Sequence, residues 1–204
     1  MDSLDKIRAT LSQHTPETSF SEDALRRAAV AMILREIGNG PEALFIQRAE
    51  HPDDPWSGHM AFPGGRVDPT DQSLEAAARR ETLEEVGIAL DPTMVVGRLH
   101  DLYGGRLVAH RMSVSPYVYH HPEPEELALN YEVADAVWVP LRYLGNPDHV
   151  APYVFHLDPM RREFPSFPYD GKYIIWGLTY RIVSDFMNLF DIELPGEPKV
   201  SEVE

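Results

Sequence analysis

The 204-residue chain predicts an α/β (α+β) fold with helices packed on a curved β-sheet. Three observations carry this expectation. Two apolar runs without helical periodicity, Ala28 to Leu34 and Ala43 to Ile46, flank the turn signal Gly38-Asn39-Gly40-Pro41. Two longer strand-like segments, 94–102 and 106–119, flank Tyr103-Gly104-Gly105. Two stretches, 71–86 and 177–190, have helix composition and recognisable ends.

Length and composition bound the answer. A hydrophobic content of 43% is ordinary for a globular chain, and the length suits one domain with a substantial core. The expected division is an N-terminal helical extension over 1–27, a principal domain over 28–194 and an acidic, disordered tail over 195–204. No run of 18 apolar residues and no signal-peptide pattern occurs, so a cytoplasmic location is expected. Cysteine is absent, which removes disulfides, thiolate zinc sites and cysteine nucleophiles. The net charge of −15, from 33 acidic and 18 basic residues, argues against binding nucleic acid or anionic membranes. A small anionic substrate stays possible, because a metal ion and a few arginines can reverse the field in one cleft.

In chain order, Leu4 to Gln13 reads as a short amphipathic helix and 14–19 as a loop, with Ser21 or Glu22 capping a brief turn. The runs 28–34 and 43–46 read as a strand hairpin, the alternative being a buried helix broken at Gly38. Arg48 ends the second strand before a proline-rich loop, 49–57. It is a candidate phosphate contact, since a guanidinium grips oxygens in pairs, and equally a surface residue. His59 beside the following turn is a base, a ligand or merely hydrogen bonded.

The stretch from Phe62 to Ile88 carries the chemistry. Pro63-Gly64-Gly65 allows the backbone a close approach to a site. A helix over 71–86 follows, with Thr70 or Asp71 as N-cap and Gly87 as the stop. At about 100° per residue, Glu81, Glu84 and Glu85 share one face, and Ala76, Leu83 and Val86 fall on the opposite, buried one. Three adjacent carboxylates repel one another unless a cation neutralises them. Oxygen ligands suit Mg²⁺ or Mn²⁺, and the Gly65 carbonyl could add another. A solvated acidic face is the plainer alternative.

Beyond the helix, 120–126 is an acidic loop, either a solvated connection or a lid bringing another carboxylate. Glu132 precedes the strand-like 133–141, where Trp138 is expected in the core. Short strands are expected at 153–157, 162–164 and 172–176, then an amphipathic helix over 177–190. Tyr153, Phe155, Phe164, Phe167 and Tyr169 stack a base or fill a satellite core.

Arg80-Glu81-Thr82-Leu83-Glu84-Glu85-Val86-Gly87-Ile88 after Gly64-Gly65 resembles the Nudix box, G-x5-E-x7-R-E-U-x-E-E-x-G-U, with U bulky and apolar. Thr82 stands at an aliphatic position, Gln72 replaces the first glutamate with Asp71 beside it, and the turn is one residue longer. Ala61 to Gly65 and IWGLTYRI (175–182) resemble the coenzyme A pyrophosphatase-like branch, whose fuller signature has a histidine where Trp56 stands and Leu-Arg where Asp53 and Asp54 stand.

The resemblance implies a Nudix-type α/β/α sandwich with a mixed, curved β-sheet, and Mg²⁺- or Mn²⁺-dependent hydrolysis of a pyrophosphate bond in a nucleoside diphosphate-X substrate. Coenzyme A or a related nucleotide comes first, then ADP-ribose or a nucleoside diphosphate sugar. It assigns the metal to Glu81, Glu84, Glu85 and Gly65, and catalysis to Glu81, Glu85, Arg80 and Glu132. Substrate contact is expected at Gly64 and, from its guanidinium chemistry, at Arg48, which stands one residue too far upstream for the branch's arginine. Whichever of Glu81, Glu132 or a glutamate of 123–126 is within reach takes the water's proton. The expected partner is a small-molecule nucleotide diphosphate, with neither nucleic acid nor membrane, and a homodimer is compatible with it. A non-catalytic nucleotide-binding module and an acidic protein-interaction domain are the readings of other classes.

Overall fold

The computed structural model describes residues 3–18, 26–51, 56–104, 112–124, 126–157 and 160–196. The expected cap at Ser21 or Glu22, the acidic pair Asp53 and Asp54, the hairpin and strand start at 105–111, Glu125 and the tail beyond Gly196 lie outside them.

Helix α1 (Leu4–Gln13) begins at Ser3, whose side chain accepts from the Lys6 amide, and buries Leu4, Ile7 and Leu11 at i, i+3 and i+7. Strands β1 (Arg26–Ile37) and β2 (Gly40–Arg48) form the expected hairpin, with Ile37 opposite Gly40. The buried-helix alternative is excluded. Next come β3 (Met60–Ala61), β4 (Gly64–Arg66), α2 (Leu74–Val86), β5 (Val95–Arg98), β6 (Leu102–Gly104), β7 (Met112–His120) and β8 (Val133–Pro140). The chain closes with α3 (Leu141–Leu144), β9 (Ala151–Leu157), β10 (Met160–Tyr169), β11 (Tyr173–Trp176) and α4 (Gly177–Asn188).

Eight strands form one sheet among the described residues, ordered β3-β2-β1-β7-β5, with β4 on β1, β6 on β7 and β8 on β2. It is mixed because β1 and β7 run parallel, from Arg26 opposite Met112 to Leu34 opposite His120, while the other pairings are antiparallel. The segment expected as one strand over 94–102 is two, because Leu99 leaves the β5 register to donate to the Pro116 carbonyl. Strands β9, β10 and β11 make a second, antiparallel sheet.

Strand alternation sends side chains to two cores. Ala29, Ala31 and Ile33 of β1 and Leu44 and Ile46 of β2 meet Ala77, Ala78 and Val86 of α2. Met32, Leu34, Ala43 and Phe45 point the other way, into α1, α4 and the small sheet. Phe167 joins this large core, so the aromatics of 153–169 are not one satellite. Trp138 is only partly buried, under the Arg35 guanidinium at 4.0 Å. No helix among the described residues is long and apolar enough to cross a membrane.

Candidate active site

The glycine turn is zipped to the sheet before it reaches the helix. Ala31 donates to the Pro63 carbonyl, Val67 to the Arg27 carbonyl, and Ala29 lies opposite Gly65. Gly64 has φ +144°, and a Cβ there would come within 2.4 Å of the Ala29 carbonyl. A Cβ on Gly65 would lie 2.5 Å from the Glu81 carboxyl carbon. Both glycines are therefore required by close approach, one to backbone and one to a functional side chain.

Helix α2 starts later than expected. Its N-cap is Ser73, accepting from the Ala76 amide at 3.0 Å, and not Thr70 or Asp71. Thr70 bonds instead to Asp68, and Asp71 is taken by Arg80, which donates from Nε and Nη2 to its two oxygens at 2.9 Å each. At the other end Gly87 adopts φ 75° and donates to the Leu83 carbonyl, as expected of the stop.

The buried stripe of α2 is also rotated from the expected one. Ala78, Thr82 and Glu85 face the sheet, whereas Leu83 is 52% exposed and Ala76 only partly buried. The three carboxylates therefore span an edge of the helix and do not all lie opposite its core. Thr82 is buried at an aliphatic position because its hydroxyl donates to the Ala78 carbonyl at 2.7 Å.

Each glutamate has a different environment. Glu85 is 2% exposed and accepts from the Gly64 amide at 2.8 Å. Burial pushes its carboxyl up to about 8; the Gly64 bond and the Arg48 charge oppose this, and Glu81 and Glu132 add to it. Glu81 is also shifted up, chiefly by burial, and Arg80 restrains it. The Glu84 side chain is 54% exposed. Arg80 Nη1 donates to Glu81 at 2.9 Å and to Glu84 at 3.3 Å, and Nη2 reaches the Arg66 carbonyl at 3.1 Å. One guanidinium thus holds the turn, Asp71 and two glutamates, and these partners raise its own pKa further.

The remaining candidates gather from the sheet. Arg48 ends β2, and the next amide, Ala49, donates to the Glu132 carbonyl at 2.8 Å. The segment before β8 runs along the end of α2, with Ala128 donating to the Val86 carbonyl and Asn130 to the Glu85 carbonyl. Glu132 is exposed, and its charge reaches Glu81 and Glu85. Glu123 and Glu126 are exposed on their loop. His59 lies among rings, 4.8 Å from Trp176 and 6.2 Å from Phe155.

The structure therefore brings Gly64, Gly65, Arg80, Glu81, Glu84 and Glu85 into direct contact, with Arg48 and Glu132 within their field. Sequence reasoning missed Asp71 as the main partner of Arg80. The one available signal was its place beside Gln72 in the lengthened turn. As a donor set the glutamates are hard oxygens, and Glu85 is buried with one amide to offset its charge, which fits a hard divalent cation. Arg80 draws Glu81 and Glu84 toward itself, and no three carboxylates or imidazoles converge on one point among the described residues.

The family model of the NUDIX domain matches residues 25–158, more than half of the chain. The chain belongs to the Nudix family. Its Nudix relatives include the human mitochondrial coenzyme A diphosphatase NUDT8, 30% identical over 164 residues, covering 78% of this chain and 66% of that protein. The Nudix hydrolase NudL of Enterobacter sp. (strain 638) is 30% identical over 173 residues, 81% of this chain and 84% of NudL. An uncharacterized protein of Schizosaccharomyces pombe is 34% identical over 163 residues, 68% of this chain and 48% of the relative. The chain spans about half the length of the fission yeast relative and about two thirds that of the human one. Among solved structures, a MutT/nudix family protein from Enterococcus faecalis has a TM-score of 0.57 at 19% identity, covering 93% of this chain and 70% of that one. That likeness supports the Nudix fold.

Proposed function

We propose that the chain is a divalent-cation-dependent Nudix pyrophosphohydrolase that cleaves the diphosphate linkage of a nucleoside diphosphate-X substrate. Coenzyme A or a related nucleotide is its first candidate and ADP-ribose or a nucleoside diphosphate sugar its second. The observation that carries this reading is Glu85, a carboxylate 2% exposed on the edge of α2, facing the glycine turn beside Glu81 and Glu84. A buried acid so weakly compensated destabilises a fold that has no use for it. Resemblance to the human coenzyme A diphosphatase supports the substrate order.

Mg²⁺ or Mn²⁺, held by Glu81, Glu84 and Glu85 with the Gly65 carbonyl, would offset the charge of the diphosphate and acidify water. Gly64 orients Glu85 through its amide. Arg80 fixes Glu81 and Glu84 and is itself steadied by Asp71, so it acts by positioning. Arg48, whose charge reaches Glu85, would grip phosphate oxygens with its guanidinium. Hydrolysis forms one P–O bond to the water oxygen, breaks the bridging P–O bond and releases a proton. Glu132, exposed and within the field of Glu81 and Glu85, accepts that proton.

The test is a substrate panel with purified protein and Mg²⁺: coenzyme A, ADP-ribose, NADH, diadenosine polyphosphates and nucleoside diphosphate sugars, following nucleoside monophosphate or phosphate release. Cleavage of at least one, lost in Glu85→Gln, is expected. No cleavage, or an equally active Glu85→Gln, overturns the enzyme reading in favour of a binding module. Intact coenzyme A beside consumed ADP-ribose overturns only the substrate order.

A further inference from the structure

Tyr131 is 87% exposed, while the other exposed large apolar side chains among the described residues lie between 37% and 52%. Single exposed aromatics are common and need no function. This one sits on a backbone that is fixed on both sides. Asn130 donates to the Glu85 carbonyl at 3.1 Å, its side chain accepts from the Glu132 amide at 2.8 Å, and its carbonyl accepts from Val133. The Glu132 carbonyl accepts from Ala49. The ring is therefore held out from a tethered turn that also carries Glu132.

Its surroundings select what can lie against it. The phenol is shifted up by hydrogen bonding and charge from Glu132, and further by the Glu84 charge, so the ring stands beside the Glu132 carboxylate and within the field of Glu84. Leu129 in the same segment is 40% exposed, and Leu83 on the last turn of α2 is 52% exposed. A further phosphate would be repelled here. A neutral or cationic planar ring would meet an electron-rich face, with Leu129 exposed two residues away in the chain.

We propose that Tyr131 is a specificity-determining residue whose ring stacks the heteroaromatic base of the nucleoside diphosphate substrate while the diphosphate lies at the α2 glutamates. The inference rests on the pyrophosphohydrolase reading above. It assigns choice of the base to the loop before β8, and bond cleavage to the turn and α2.

The experiment compares the parent with Tyr131→Ala and Tyr131→Phe, using coenzyme A, ADP-ribose and a dialkyl diphosphate without a base. Tyr131→Ala should raise KM for the two nucleotides roughly tenfold and leave KM for the base-free diphosphate as in the parent, while any kcat change from loss of the phenol's bond to Glu132 should be equal for all three substrates. Tyr131→Phe keeps the ring and should keep the parental KM. An unchanged KM in Tyr131→Ala, an equal rise for the base-free compound, or a Phe variant behaving like the Ala variant overturns the proposal. Calorimetric binding of ADP in the presence of Mg²⁺ separates this from the enzyme reading, because it needs no turnover. ADP bound by the parent and by Tyr131→Phe but weakened roughly tenfold in Tyr131→Ala supports stacking even when no diphosphate is cleaved. ADP that binds all three alike, or does not bind the parent, overturns it.

Discussion

The Gly64 amide donates to the Glu85 carboxylate across 2.8 Å, joining the turn after β3 to a helical residue that is 2% exposed. This bond is one of few compensations for a charge withdrawn from water, so the site is held at a cost in stability.

Glu85→Gln should separate that cost from function. The amide oxygen still accepts from Gly64, and the side chain has neither a charge to keep away from water nor a proton to hold that an exposed carboxyl would release at this pH. In EDTA the variant should be more stable than the parent by about 1 kcal/mol or more, read by denaturant unfolding at pH 7.5. Hydrolysis with Mg²⁺ should fall at least about a hundredfold. Equal stability of the two proteins would show that Glu85 is better compensated than its burial implies.

The two glycines should fail differently. Gly64→Ala meets the Ala29 carbonyl at 2.4 Å at a φ of +144°, so it should cost about 2 kcal/mol or more of stability and disturb the β1–β4 pairing. Gly65→Ala meets the end of a flexible side chain, the Glu81 carboxylate at 2.5 Å. It should keep most of its melting temperature and lose kcat. Thermal melts and steady-state kinetics on the pair check the contrast.

Arg80→Lys should not substitute for arginine, because a single ammonium cannot span two Asp71 oxygens, Glu81, Glu84 and the Arg66 carbonyl. A kcat loss of about ten- to a hundredfold is expected, and Asp71→Asn should reproduce part of it. The double variant should be no worse than Arg80→Lys alone, a non-additivity measured by a double-mutant cycle.

Helix α1 should loosen in mild acid. The His14 ring meets His100 edge-on at 4.7 Å, and burial, then the His100 charge, lowers its pKa against the pull of Asp185. His120 Nδ1 accepts from Arg8 at 2.6 Å; burial, Arg8 and His121 lower its pKa, and Glu36 and Asp5 raise it. A lowered imidazole pKa means that the unfolded chain binds the proton more readily. Stability from both rings is therefore full above the ordinary value of about 6.5 and lost as pH falls below it. Asp185, shifted up chiefly by burial, acts in the opposite sense at lower pH. Protection factors of the α1 amides, taken relative to the slower intrinsic exchange in acid, should fall between pH 7.5 and 5.5, and less so in His14→Gln/His120→Gln.

Local signals were legible in the sequence. The bounds of α1, the β1–β2 hairpin, the Gly87 stop and the glutamate face follow from periodicity, turn residues and caps, which act within a few residues. Choices made by distant partners were not. Asp71 has the chemistry of a cap, and only the arrival of Arg80 from nine positions on takes it away. Leu83 reads as core on the helix alone, yet the sheet meets the stripe through Ala78, Thr82 and Glu85. The expected strand 162–164 stops short at the prolines, whereas β10 continues through Pro165 and Pro168. Pro165 pairs with Pro152, so two residues without an amide donor face each other. Tyr131 carries no sequence signal at all, since its meaning depends on where the turn is tied.

The two cores differ in grain. The one under α2 is lined with alanines, Ala29 and Ala31 of the sheet against Ala77 and Ala78 of the helix, while the other is filled by Phe45, Phe62, Phe167 and Phe186. Evolution has unequal latitude on the two sides. A bulky core can trade one large side chain for another and re-settle, but an extra methylene under the glutamate helix lifts it from the sheet and carries the carboxylates with it. Drift in this lineage should accumulate on the aromatic side and in the loops, leaving the alanine side almost frozen for reasons of position and not of stability.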